Sequence, residues 1–123
     1  MDFPFGDKLV AIEGKIDKRS TSDMCFDEIT VVFEEKTIVL LPLPDTDEIN
    51  IEVVPTIKSS KRRKRHQLFP ILSGKALLGV WICNNDQGYQ DLMVLAFEYL
   101  QPNIGVLAEG SVLKVLQMDV LQK

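Results

Sequence analysis

Apolar and polar residues alternate with a period of two along much of this chain, which marks strands with one wet face. Ile49-Asn50-Ile51-Glu52-Val53 alternates cleanly, and in Leu9 to Ile16 the side chains of Val10, Ile12 and Ile16 share one face opposite Glu13. Ile29 to Phe33 is rich in β-branched residues, and Thr37 to Leu41 is apolar on both faces. The short polar link Glu34-Glu35-Lys36 joins them as a hairpin. Pro42 and Pro44 are expected to end the second of these strands, because proline cannot donate to a ladder. In the second half, Leu77 to Ile82 and Leu92 to Phe97 are continuous apolar runs separated by the turn-forming cluster Asn84-Asn85-Asp86-Gln87-Gly88. Runs apolar on both sides suit strands covered on both faces. Ile104 to Leu107 and Val112 to Val120 follow, with a tight turn expected at Glu109-Gly110.

The fold class expected from this pattern is all-β. About eight mostly antiparallel strands form a single domain over residues 1–123, as a barrel or a sandwich. The alternative is α+β, with a helix in 56–73 or at the C-terminus, where Val112, Val115, Leu116 and Asp119 also fit a helical period. The two halves resemble one another. Gly6-x-x-Leu9-Val10 matches Gly74-x-x-Leu77-Leu78, and Asp27-x-Ile29-x-Val31-x-Phe33-Glu34 matches Asp91-x-Met93-x-Leu95-x-Phe97-Glu98. Ile38 pairs with Ile104, and Asp47-x-Ile49-x-Ile51 with Ser111-x-Leu113-x-Val115. Two readings stand: pseudo-repeated meanders over 6–54 and 74–120 joined by a basic loop 55–73, or the generic likeness of antiparallel segments.

Charge changes the picture more than bulk composition does. The chain of 123 residues carries a net −4, yet six cations fall between Thr56 and His66, where there is no acid. The remainder holds eight basic residues against 18 acidic ones, so an acidic body carries one basic loop. No apolar stretch reaches the roughly 18 residues a membrane helix needs. The opening Met1-Asp2-Phe3-Pro4-Phe5 has neither a basic region nor a hydrophobic run, so the expected compartment is the cytoplasm. Cys25 and Cys83 sit in or beside apolar segments, as buried thiols do, and the one histidine, His66, lies in the basic run. Neither a metal site nor a cofactor is expected from such a set.

Catalytic signatures are missing: there is no phosphate loop, nucleophile elbow or paired-histidine motif. His66 is flanked by cations and reads as a solvated loop residue. Asp45-Thr46-Asp47-Glu48 has the spacing of hard-cation ligands but lacks the glycine and distant glutamate of a calcium loop, so a strand-capping turn explains it better. The run Lys61-Arg62-Arg63-Lys64-Arg65 offers a phosphate-contacting loop; without an aromatic residue it would read no sequence. A solvated loop folding back on the acidic body is the plainer reading. The third feature is Trp81, Asn85, Gln87, Tyr89 and Asp91. Gly88 supplies the turn, and Trp81 and Tyr89 are expected to lie near one another across the strand pair. Either Asp91 or Gln87 bonds the loop's own backbone while the aromatics cover the core, or the group lines a cleft for a ligand or a partner's side chain.

The pattern Trp81-x-x-x-Asn85-x-Gln87-Gly88-Tyr89-x-Asp91 resembles an uncharacterised family of small bacterial proteins. So do Gly6-x-x-Leu9, the hairpin ending Val32-Phe33-Glu34, the Thr46-Asp47-Glu48-Ile49 segment and the final Gly110-Ser111. The resemblance implies a bacterial cytoplasmic domain and no assigned activity. The expected function is thus a non-enzymatic binding or interaction module, of accessory or immunity type, whose partner is another protein and not a membrane. The alternatives are a nucleic-acid-associated protein using the basic loop 58–66, and an enzyme with an unfamiliar site around Asp91, Tyr89 and Gln87.

Overall fold

The computed structural model describes residues 2–16, 25–57, 65–97 and 99–118. Nine strands follow one another: β1 Leu9–Ile16, β2 Cys25–Phe33, β3 Lys36–Leu43, β4 Glu48–Pro55, β5 His66–Leu68, β6 Gly79–Asn84, β7 Gln90–Ala96, β8 Ile104–Glu109 and β9 Val112–Gln117. A single 3-10 turn, Pro70–Leu72, is the only helical piece among the described residues. All pairings are antiparallel, and the sheet curls into a half-barrel. The fold class read from the alternation is therefore all-β, with Val112–Gln117 a strand rather than a helix; Asp119 and Val120 lie outside the described residues.

Three details differ from the sequence reading. The strand not expected from the sequence, β5, lies within the stretch 55–73 read as a loop; it pairs with β1 through Ile12↔Leu68, Glu13↔Gln67 and Gly14↔His66. Pro42 does not end β3, since it pairs with Ile49 and the strand runs on to Leu43. Beyond Leu40, β3 has left β2 and keeps only β4, so an N–H on the β2 side is no longer needed there. Leu77 and Leu78 precede β6 instead of opening it, because Leu77 is bonded to the N-terminal segment.

Strands β1-β2-β3-β4 and β6-β7-β8-β9 are two meanders of the same order, and their registers correspond. Ile12 faces Val31, and residues 68 and 64 positions on, Val80 and Leu95, face each other. Val31 faces Ile38 as Leu95 faces Ile104, and Ile38 faces Val53 as Ile104 faces Gln117. The meanders meet at a reciprocal clasp. Gly6 N–H donates to the Leu77 carbonyl (2.9 Å) and Gly74 N–H to the Leu9 carbonyl (2.7 Å). Leu9 N–H donates to Lys75 (2.8 Å) and Leu77 N–H to Asp7 (3.1 Å). Both glycines have φ near +85° (85° and 88°), where a Cβ would be strained.

Beside the clasp, the equivalent rings Phe33 and Phe97 stack with centroids 6.2 Å apart and planes 20° from parallel. Around them Ile12, Ile38, Leu40, Met93, Leu95 and Ile104 are buried in one continuous core. Two further joins close the structure. On one side β2 reaches β9 through Cys25↔Lys114 and Phe26↔Leu113. At the equivalent place on the other, Gln90 replaces ladder bonds with side-chain ones: its N–H donates to Glu48 Oε2 and its Nε2 to the Ile49 carbonyl, each at 3.2 Å.

Truncating either stacked ring should be among the most damaging single changes in the chain. Phe33→Ala and Phe97→Ala are each expected to lose about 3–5 kcal/mol in urea unfolding. The double variant should lose less than the two combined, since the rings share one contact.

Candidate functional site

The stretch from Trp81 to Asp91 is organised by one side chain. Asn85 Oδ1 accepts from the N–H groups of Gln87 (2.8 Å) and Tyr89 (3.1 Å), and its Nδ2 donates to Asp91 Oδ2 (3.2 Å). Its own N–H donates to the Tyr89 carbonyl at 2.9 Å, and its carbonyl accepts from Gly88 N–H at 3.0 Å. This is how a short amide residue holds a turn: it supplies the acceptor that two inward N–H groups need. The expectation that Asp91 or Gln87 bonds the backbone is thereby corrected. Asp91 braces Asn85, and Gln87 takes part through its N–H while its side chain is exposed.

The aromatics are not where the spacing suggested. Trp81 pairs with Val94, well inside the ladder, whereas Tyr89 lies beyond its end beside Asn85. The register sets them apart because the β6–β7 hairpin turns at Asn85 to Gly88. Both rings are exposed, 37% for Trp81 and 40% for Tyr89, so neither seals the core.

Of the other candidates, Lys61, Arg62, Arg63 and Lys64 lie outside the described residues. Arg65 reaches back to the body, its Nη2 3.4 Å from Glu28 Oε1. In the acidic turn, Asp47 Oδ1 accepts from Gly110 N–H (3.0 Å), and Glu48 is engaged by Gln90. These carboxylates hold backbone, and no cluster of three or more potential metal ligands occurs among the described residues. Glu109 and Lys114 bond each other at 2.7 Å beside the last hairpin. That hydrogen bond and its charge hold the Glu109 carboxyl below its ordinary range and Lys114 above its own, on fully exposed groups.

The surface that the sequence reading missed is the outer face of the second meander. One cross-strand row there is Trp81, Val94, Gly105 and Leu116. The equivalent outer row of the first meander is Glu13, Thr30, Val39 and Glu52. In the next row, Lys15 and Glu28 are matched by Cys83 and Leu92. A Cβ on Gly79 would meet Leu100 Cδ1 at 2.9 Å and the Trp81 ring at 3.1 Å; one on Gly105 would meet Met118 Sδ at 3.0 Å. Large side chains therefore lie flat over the two glycines, while Leu100, Leu116 and Met118 remain exposed. The available signal was the double-sided apolarity of 77–82, which read as burial on both faces; in 92–97 that burial holds, since Met93 to Phe97 are all buried, whereas Leu78, Trp81 and Ile82 are exposed.

No helix among the described residues is long and apolar enough to cross a membrane. The model of a family described as "Family of unknown function (DUF6334)" matches residues 3–121, in agreement with the resemblance to an uncharacterised family. No curated protein and no solved structure matches the chain.

The two polar candidates of the turn should separate in thermal and urea melts. Asn85→Ala removes the acceptor of two N–H groups and is expected to cost about 0.5–1.5 kcal/mol. Gln87→Ala is expected to stay within about 0.5 kcal/mol of the parent, as exposed substitutions do.

Proposed function

We propose that this chain, which belongs to the family of unknown function DUF6334, is a non-enzymatic protein-binding module that docks through the outer face of its second meander. The observation that carries this reading is the contrast between equivalent positions. The same place in the same ladder holds Glu13 in one meander and Trp81 in the other, Glu52 in one and Leu116 in the other. The fold accepts charge at these sites, so their apolarity answers to something outside the fold. Exposed apolar side chains gathered on one face suit a protein partner, and a tryptophan among them is the usual anchor of such contacts.

The polar residues of the turn support the same reading, because Asn85 and Asp91 direct their bonds inward and leave no convergent set for a small ligand. A cytoplasmic setting belongs to the proposal; both Cys25 and Cys83 are free thiols, as reducing compartments favour.

Photo-crosslinking amino acids placed in cells at Trp81 and Leu116, and separately at Glu13 and Glu52, test the reading. Protein adducts are expected from the first pair and not from the second. Equal labelling from both pairs, or no protein adducts at 81 and 116, would overturn it. Steeply salt-dependent binding of nucleic acid that is lost when Lys61 to Arg65 are neutralised, with no protein adducts, would put the basic loop in its place.

A further inference from the structure

We infer that the protein forms a two-fold dimer with a second copy of itself, by antiparallel pairing of β6 with β6 centred on Trp81. The inference rests on the reading of the outer face given above and names its occupant.

Three strands lie at the margins of the sheet, and they differ in how they are guarded. Strand β4 carries Glu48 and Glu52, ends on Pro55 and is reached by Gln90. Strand β5 is three residues long. Both are the blunted margins that natural sheets use against unwanted pairing. Strand β6 has six residues and pairs with β7 alone among the described residues. No charge occurs from Ala76 to Asn85, and Leu78, Trp81 and Ile82 are exposed. A neutral, apolar, unguarded edge of this length is a template for another strand.

The first meander shows what such a strand does. There β5 covers the edge of β1 antiparallel at Ile12, Glu13 and Gly14. The equivalents 68 positions on are Val80, Trp81 and Ile82, and this edge has no cis strand among the described residues. The place that β5 fills in one meander is the place a partner strand fills in the other.

A second copy fits that place on three counts. Antiparallel pairing about Trp81 is self-complementary, setting Val80 against Ile82 of the other copy and ring against ring, so the assembly closes at two subunits. The stretch that would pair, Leu78 to Asn84 against itself, is uncharged, so no like charges meet along the new ladder. Elsewhere the body is acidic and two copies repel; a neutral edge is where they approach at least cost.

Light scattering of the full chain across a roughly hundredfold dilution, with hydrogen exchange of β6 amides, decides the matter. The expected result is twice the chain mass at the high end, and protection of residues 79–84 that rises with concentration. Trp81→Lys and Ile82→Lys should each weaken the dimer by about 30-fold or more, while Val54→Lys on β4 should not. If a lysine variant fails to fold, the concentration dependence of exchange in the parent protein decides alone. A single-chain mass throughout with concentration-independent exchange, or a dimer that survives both folded lysine variants, would overturn the inference. A monomer whose positions 81 and 116 still crosslink to a different protein removes the second copy but keeps the docking face; a monomer without such adducts removes both.

Discussion

The structure depends on the clasp between Gly6–Leu9 and Gly74–Leu77. Each segment donates two N–H groups to the other and accepts two in return, so neither meander completes its backbone bonding without its counterpart. Asp7, within the clasp, also accepts from Glu35 N–H at 2.9 Å, which ties the β2–β3 hairpin to the same point. The Phe33–Phe97 stack beside it converts this polar join into a hydrophobic one. A four-stranded meander alone exposes its apolar face; two of them, held in a fixed relation, bury Ile12, Ile38, Leu95 and Ile104 in a common core.

Equivalence of backbone has not brought equivalence of surface. The first meander carries charges among its outward residues, Glu13, Lys15, Glu28 and Glu52, and shields its open edge with β5. The second turns apolar residues outward as well, and its edge strand carries no charge. The two joins at the seam differ in the same way. One is a backbone ladder between β2 and β9, and its counterpart is made by the amide side chain of Gln90. The outer rows can differ in such a frame because the clasp and the core hold the two meanders together.

The residues of the Trp81–Asp91 pattern divide by role. Asn85, Gly88 and Asp91 build the turn, while Trp81 belongs to the exposed sheet face. A linear pattern mixes these because a hairpin brings residues with unrelated roles close in sequence. The acidic turn behaves similarly: Asp47 satisfies the N–H of Gly110 across the seam instead of capping its own strand.

The sequence by itself determined the all-β class, the positions of eight of the nine strands and the turn at Asn84 to Gly88, and it left open whether the two halves are a repeat. Local alternation, β-branching and turn residues are properties of a few neighbouring positions, and they survive without knowledge of the rest. Tertiary structure alone decided where β5 goes, because a three-residue strand exists only by virtue of the edge it meets. It also let Pro42 stay in β3, since only the neighbouring strands determine whether an N–H is needed there. The outward apolar rows were legible as runs, but a run apolar on both sides has the same composition whether its second face is covered or bare. Which of the two holds depends on residues distant in sequence, and here nothing among the described residues covers the edge at Trp81.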